Sequence, residues 1–217
     1  MTELDKQIAS AIRFFWETRS GQIERQQKSG KNDQGSRGAV TGGAQLDGFI
    51  NLIHELLLKK GIPAESIFMK KKVDLPGFFR PVKNWDLLVV HEGDLLAAIE
   101  FKAQVGPSFG NNFNNRTEEA IGSSTDLWTA YRERVFHDSP QPWLGYFFLL
   151  EKAVKSISPV KTTANHFPII KDYNNTSYAE RYEIFCRKLM SERLYNSTCM
   201  LVSDRLSGLK GVYSEPN

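Results

Sequence analysis

The sequence predicts an α/β fold in which a central mixed sheet is flanked by helices, with the core order helix, three strands, helix, strand (α-β-β-β-α-β). Two observations lead to this prediction. Apolar residues recur at helical spacing in four segments, and three shorter segments between residues 67 and 102 favour strands. In addition, the continuous apolar run at 144–150 is typical of a strand buried on both faces.

The N-terminal residues predict a helix over 3–18, followed by a long polar loop over 20–43 that is rich in glycine. Because this loop is basic, we expect it to fold onto a phosphate backbone, with Arg37 as a candidate DNA contact. A second helix is predicted over 44–60, and Gly61 is its stop signal.

Three strands follow this helix, and the last two are joined by Gly93-Asp94, which suits a tight hairpin turn. These predicted strands are Ile67 to Val73, Trp85 to His91 and Leu95 to Lys102.

Helices are predicted over 117–136 and near 178–193, separated by the strand Leu144 to Leu150 and followed by a short apolar stretch, Cys199 to Val202. We expect one domain with its core at about 44–152, an N-terminal helix and basic loop over 1–43, and a C-terminal helical addition over 153–217.

The composition excludes few functions. The chain has 217 residues and a net charge of +3, which permits a polyanionic partner without demanding one. No apolar run reaches the roughly 18 residues of a membrane helix, and the N-terminus lacks a secretory signal, so we expect a cytoplasmic protein. Cys186, Cys199 and the four scattered histidines do not match a zinc site.

Asp86, Glu100 and Lys102 form the constellation that suggests chemistry. Glu100 and Lys102 are two residues apart on a strand and therefore share a face, whereas Phe101 points to the other face. The hairpin turn brings Asp86, at the start of the preceding strand, beside them.

Two carboxylates in an apolar sheet are costly to bury, and a divalent cation would remove their repulsion. Mg²⁺ prefers oxygen ligands, which Asp86, Glu100 and the backbone carbonyl of Phe101 could supply. Lys102 could orient or deprotonate the attacking water, or stabilise charge on the phosphoryl oxygens; the sequence leaves both roles open.

Asp86 with Glu100-x-Lys102 resembles the PD-(D/E)xK nuclease motif, although Trp85 stands where the motif usually has proline. The segment NWDLLVVHEGDLLAAIEFKAQVGPSFGNNFNNRTEEAIGSSTDLWTAYRE (84–133) closely resembles the XhoI-type restriction endonucleases. The resemblance implies a restriction-endonuclease-like core and a homodimer that cuts double-stranded DNA with Mg²⁺ at the palindrome CTCGAG. It also implies a restriction-modification system, with a cognate methyltransferase that is not a bound partner.

Two polar residues near the predicted site each allow two interpretations. Nucleases of this superfamily often place an extra acidic metal ligand on the helix before the sheet, where Glu55 lies, but Glu55 could equally form a surface pair with Lys59. Gln104 follows Lys102 on the same face and could hold water or phosphate, or be a strand-end polar group.

The segment 106–119 is predicted to be a loop close to the metal. Asparagine can contact adenine and arginine can contact guanine through paired hydrogen bonds, so we interpret this loop as a DNA contact rather than as a capped connection between elements. Its candidate DNA-contacting residues are Asn111, Asn112, Asn114, Asn115 and Arg116.

Two other functions remain open from the sequence. A repair or junction nuclease on the same core would cut according to DNA structure instead of sequence. A non-catalytic DNA-binding module would bind without metal-dependent cutting, but the intact set of Asp86, Glu100 and Lys102 argues against it.

Overall fold

The computed structural model describes residues 2–28 and 43–216, with side chains described for 2–22 and 43–216. Within these residues, no helix combines the length and apolar character needed to cross a membrane. The contacts group the chain into two compact units, one formed by 1–61 with 203–214 and the other by 62–202 with 215–217. The expectation of a single domain with a core at about 44–152 stays a prediction.

The first unit is helical. It contains α1 (Glu3–Lys28), a 3-10 turn (Ala44–Leu46), α2 (Asp47–Lys59) and, from the C-terminal part of the chain, the short helix α6 (Arg205–Gly208). Apolar side chains recurring along α1 and α2 form its buried interior, including Ile12, Phe15, Trp16, Phe49 and Leu52. The indole N–H of Trp16 donates to the hydroxyl of Ser203 at 3.1 Å and so ties α1 to the C-terminal segment of this unit.

The second unit is built on β-strands. They are β1 (Ile67–Met69), β2 (Asp74–Pro76), β3 (Val82–Asn84), β4 (Leu87–His91), β5 (Asp94–Gln104), β6 (Trp143–Glu151) and β7 (Ser197–Ser203). Five of these strands form a mixed sheet in the order β1-β4-β5-β6-β7. β1 pairs antiparallel with β4, β4 pairs antiparallel with β5, and β5 pairs parallel with β6. A separate two-stranded antiparallel ribbon is formed by β2 and β3.

Helices pack on this sheet, which confirms the predicted α/β class with a restriction-endonuclease-like core. They are α3 (Phe109–Arg132), the short α4 (Val154–Ile157) and α5 (Tyr178–Ser191). Side chains from strands and helices meet in one apolar core, in which Leu144 and Phe148 of β6 lie with Leu127 of α3 and Phe185 of α5. Every residue from Leu144 to Leu150 is buried, as expected for a central strand.

The turn between β4 and β5 differs from the prediction by one residue. His91 pairs with Asp94, so the two central turn residues are Glu92 and Gly93, not Gly93-Asp94. Both have positive φ, 51° and 92°, which is the geometry of the two-residue turns that match strand twist. Glycine adopts the second position without steric cost.

Two predictions in the N-terminal half were wrong. The first helix continues to Lys28, because the segment 22–28 contains good helix formers despite its polarity, so the loop predicted over 20–43 does not begin at residue 20. Residues 29–42, with Arg37, lie outside the described residues. The first strand ends at Met69 instead of Val73, because Lys70 and Lys72 adopt positive φ.

The ribbon β2–β3 was not predicted, because Pro76 and Pro81 disfavour strands in a sequence reading. The helix predicted over 117–136 runs instead from Phe109 to Arg132. Phe113, in its first turns, packs with the rings of Tyr178, Tyr182 and Phe185 of α5, so tertiary packing overrides the weak helix propensity of the asparagines and glycine.

Candidate active site

Asp86 lies immediately before β4, next to the buried Trp85. The antiparallel register, in which Leu87 lies opposite Ile99, brings Asp86 to the level of Glu100 and Phe101 on β5. The carboxylate of Asp86 accepts the backbone N–H of Phe101 at 2.7 Å. This hydrogen bond therefore holds Asp86 against β5, the strand that contains Glu100 and Lys102.

Glu100 and Lys102 share one face of β5. The ammonium of Lys102 lies 2.7 Å from Oε1 of Glu100, and the Glu100 side chain is only 3% exposed. Phe101, between them, points to the opposite face, where its ring packs against Phe147 with ring centroids 5.4 Å apart. This is the side-chain alternation that the sequence predicts.

Lys83 is an additional member of the cluster that the sequence did not single out. It lies on β3, and its ammonium is 3.3 Å from Oε1 of Glu100 and 4.5 Å from the centre of the Trp85 ring. Sequence patterns alone assign no role to Lys83, which is one of several basic residues between 70 and 83. Its position three residues before Asp86 is the only signal that the sequence offers, since the ribbon β2–β3 was not predicted.

The two carboxylates differ in their electrostatic environment. Burial opposes ionisation of Glu100, but the charges of Lys102 and Lys83 outweigh it and hold the pKa of Glu100 below its ordinary value. Burial raises the pKa of Asp86, and the favourable charge of Lys102 only partly offsets this effect. Burial lowers the pKa of Lys102, but Glu100 and Asp86 outweigh it, so the pKa of Lys102 lies above its ordinary value. Lys102 is therefore an ammonium in this arrangement.

The donor set fits a hard divalent cation. Oε2 of Glu100 is buried and has no hydrogen-bond partner among the described residues, whereas Oε1 accepts from both lysines. A buried carboxylate oxygen without a partner is costly, and an oxygen-preferring cation would satisfy it. Among the side chains described, those of residues 2–22 and 43–216, no group of three or more His, Cys, Asp or Glu is placed to bind a metal. Mg²⁺, which often uses one or two carboxylates together with water and phosphate, suits a site of this kind.

Glu55 lies on α2 in the first unit. Its carboxylate accepts from the side-chain amide of Gln7 at 3.5 Å, within the same unit. Its role as a metal ligand stays a prediction, as does that of the Phe101 carbonyl.

Gln104 is buried, and both ends of its amide have partners within the chain. The amide nitrogen donates to the backbone carbonyl oxygens of Ser108 and Phe109, at 3.3 and 3.1 Å, and the amide oxygen accepts from the hydroxyl of Tyr182. These contacts connect the end of β5 to the start of α3 and to α5. They favour the structural interpretation of Gln104 over contact with water or phosphate.

The asparagine-rich segment is helical, which corrects its prediction as a loop; it forms the first two turns of α3. Asn111, Asn114 and Asn115 are exposed, whereas Asn112 is half-buried. Arg116 is also half-buried, and it pairs with Glu119 at 2.5 Å. The charge of Arg116 opposes protonation of Lys102, so the start of α3 lies close enough to affect the cluster electrostatically.

A cleft of ≈ 460 Å³ lies beside the same helix start. It is lined by Pro107 to Asn111, Lys155, the segment Ser158 to Val160, and Tyr178. Of the exposed asparagines, Asn111 lines this cleft.

Comparison with known proteins gives a consistent result. The family model described as "Restriction endonuclease XhoI" matches residues 25–215. The type II restriction enzyme BstVI of Geobacillus stearothermophilus is 53% identical over 195 residues, which cover 88% of this chain and 87% of that enzyme.

Two further relatives have names of the same kind. The type II restriction enzyme XhoI of Xanthomonas vasicola is 41% identical over 88% of this chain and 77% of its own length. The type II restriction enzyme AbrI of Azospirillum brasilense is 45% identical over 77% of this chain and 75% of its own length. No solved structure gives a significant match.

Proposed function

The chain belongs to the XhoI family of type II restriction endonucleases, and from this membership we propose that it hydrolyses double-stranded DNA at the palindrome CTCGAG with Mg²⁺. The observation that supports this proposal most directly is the convergence of Asp86, Glu100 and Lys102 beside one end of β4. Two carboxylates and an ammonium that interact electrostatically with one another suit the hydrolysis of a phosphodiester.

Asp86 and Glu100 are the proposed metal ligands, with the carbonyl of Phe101 as a third and Glu55 as a further candidate. When bound, Mg²⁺ polarises the scissile phosphate and acidifies a coordinated water. The hydrogen bond from the Phe101 N–H holds the Asp86 carboxylate against β5, so the ligands do not have to be brought together when DNA binds.

Lys102 acts next to these ligands. As an ammonium it can stabilise the negative charge that develops on the phosphoryl oxygens or orient the attacking water. Lys83, 3.3 Å from Glu100, adds a second positive charge on the same carboxylate oxygen. Together the two lysines keep Glu100 ionised and ready to bind a cation.

Exposed asparagines at the start of α3, with Arg116, are the proposed contacts to base edges, and Arg37 is a proposed contact in the basic N-terminal segment. A palindromic site matches a twofold homodimer in which each subunit cuts one strand. We place the enzyme in the cytoplasm as part of a restriction-modification system, because a site-specific nuclease must spare the DNA of its host.

Mapping the ends of cut plasmid DNA tests this proposal. The plasmid has one CTCGAG sequence, and a matched plasmid differs from it by one base pair in that sequence. We expect one double-strand cut at the site with Mg²⁺ and none with EDTA, with Asp86→Asn or with the altered plasmid. Cuts that follow DNA structure instead of sequence would indicate a repair or junction nuclease. Mobility shifts without cuts would indicate a binding module.

A further inference from the structure

The ribbon β2–β3 has features that the catalytic cluster does not explain. Asp74 pairs with Asn84, Leu75 with Lys83 and Pro76 with Val82, and the connecting loop is Gly77 to Pro81. We call residues 74–84 the aromatic hairpin, because its loop contains Phe78 and Phe79.

The tip of the aromatic hairpin exposes large apolar side chains. Phe79 is 68% exposed, Phe78 is 49% exposed, and Val82 on the following strand is 54% exposed. The two rings pack edge to face, with centroids 4.9 Å apart. Single exposed apolar residues need no explanation, but three on one short hairpin mark an interaction surface.

A buried carboxylate holds this tip in one conformation. Asp126 of α3 accepts the backbone N–H groups of Phe78 and Phe79 at 2.8 and 2.7 Å, and the Nε–H of Arg80 at 2.8 Å. A Cβ on Gly77 would lie 2.5 Å from the same carboxylate, so glycine allows the close approach. The two rings are therefore presented on a fixed backbone and do not depend on a flexible loop.

The positive charge near the aromatic hairpin favours a negatively charged partner. Within the segment 70–84, Arg80 is paired with Asp126 and Lys83 with Glu100. Lys70 to Lys72 precede the base of the hairpin, with Asp74 as the one acidic residue of the segment, so the segment carries an excess of positive charge. A second copy of the chain would bring two such segments together with like charges opposed, which is unfavourable. A polyanion whose flat apolar faces can become available is complementary to both the charge and the rings, and duplex DNA is such a polyanion when a base step is unstacked.

The aromatic hairpin is also connected to the active site. Lys83, at its base, contacts Glu100 at 3.3 Å, and Phe79 is four residues away along the chain. At about 3.3 Å per residue of fully extended chain, the tip lies at most about 13 Å from Lys83, which corresponds to about four base-pair steps or fewer. DNA with its phosphate at the carboxylate cluster thus extends as far as the two rings.

We propose that Phe78 and Phe79 form an aromatic wedge that stacks against the bases of bound duplex DNA and partly separates one base step, with Arg80 and the neighbouring lysines on the phosphates. Apolar side chains inserted between base pairs unstack them and bend the duplex. This inference rests on the proposed function, because the occupant is the substrate of the same active site.

Site-by-site fluorescence of 2-aminopurine tests the wedge. Duplexes that carry the base analogue at successive positions through and beyond CTCGAG are mixed with the protein in EDTA, so that nothing is cut. We expect the wild type to increase the fluorescence at one step, and Phe78→Ala/Phe79→Ala to remove this increase and weaken binding by at least about fivefold. Phe167→Ala, which removes an 80% exposed ring elsewhere in the same unit, is the matched control and should change neither.

The outcomes separate this inference from the proposed function. Suppose that the fluorescence increase depends on the two rings but the protein cuts no DNA with Mg²⁺. This result would support the wedge and contradict the proposed nuclease activity. Site-specific cutting with unchanged fluorescence and binding in the double variant would overturn the wedge alone. A change from dimer to monomer in sedimentation of the double variant would also overturn it, because the rings would then contact a second copy.

Discussion

The carboxylate of Asp86 accepts the backbone N–H of Phe101, the residue that separates Glu100 from Lys102. This hydrogen bond connects the residue just before β4 to β5 at the level of the proposed metal ligands. The position of the Asp86 carboxylate therefore depends on the backbone of β5 and not on side-chain packing alone. The predictions about the active site depend on this arrangement.

Asp86→Asn should abolish cutting while the protein still folds. The amide oxygen can still accept from Phe101, but the negative charge that binds the cation is lost, and we expect the rate to fall by at least about a thousandfold. Plasmid cleavage measures the rate, and thermal unfolding measures the fold. Asp94→Asn, an exposed carboxylate at the start of β5, is the control. Unfolding of the Asp86 variant would show that the residue is structural.

Mg²⁺ should stabilise the wild type and not Glu100→Gln. A cation that binds only the folded state contributes about 2.7 kcal/mol at a hundred times its Kd. For a chain of this size this corresponds to an increase in Tm of about 5 to 11 °C. Calorimetry with and without Mg²⁺ measures the shift without using activity, and Glu118→Gln, an exposed residue of α3, should behave like the wild type. An equal shift in the Glu100 variant would place the cation elsewhere.

Lys102→Met should separate catalysis from metal binding. Lys102 is not a proposed ligand, so the increase in Tm with Mg²⁺ should remain while cutting falls by about a hundredfold or more. Lys83→Met, which removes the more distant ammonium at 3.3 Å, should reduce cutting less than Lys102→Met. If the loss of Lys83 is as damaging as the loss of Lys102, the two lysines act as a unit.

Alanine at an exposed asparagine of α3 should reduce discrimination between DNA sequences. Asn115→Ala should lower the ratio of cutting at CTCGAG to cutting at a site with one changed base pair by about 1 to 3 kcal/mol, or 5- to 150-fold. Asn174→Ala, also exposed, serves as the comparison outside α3. An unchanged ratio for Asn111, Asn114 and Asn115 variants alike would exclude this helix face as the base contact.

Asp126→Asn should destabilise the protein by about 2 kcal/mol at pH 7, because charged hydrogen bonds to the aromatic hairpin are lost. Burial opposes ionisation of Asp126, but hydrogen bonds from Phe79, Arg80 and Phe78 outweigh it, and its pKa lies below 3.8. A lowered pKa in the folded state means that this stability is present above about 3.8 and is lost as the pH falls through the folded value. Urea unfolding between pH 7 and pH 3 should show the difference shrinking, whereas Asp138→Asn, 97% exposed, should have little effect at any pH.

The sequence was sufficient to predict that Asp86, Glu100 and Lys102 lie close together. Asp86, Glu100 and Lys102 lie within two adjacent strands, and the period of two along a strand decides which side chains share a face. A one-residue error in the turn did not affect this result, because the apolar pattern fixed the strands independently.

Lys83 and Asp126 could not be predicted in the same way. Lys83 reaches Glu100 only because the aromatic hairpin folds back, and Asp126 contacts a hairpin that is 46 to 48 residues earlier in the chain. The helical start of α3 was missed for a related reason, since Phe113 is held by Tyr182 and Phe185 of α5, far along the chain. Single-sequence patterns contain no information on such distant partners.

Helix α3 is the connection between the parallel strands β5 and β6, whose register places Glu100 opposite Tyr146. Its two ends are therefore anchored to neighbouring strands in the middle of the sheet. Inserting one residue near its start would rotate the asparagines by about 100° around the helix axis relative to the part that packs on the core. Where these asparagines contact base edges, as proposed, the DNA preference of such an enzyme is expected to change by exchange of side chains on this helix. Insertions or deletions within the helix are expected to be selected against.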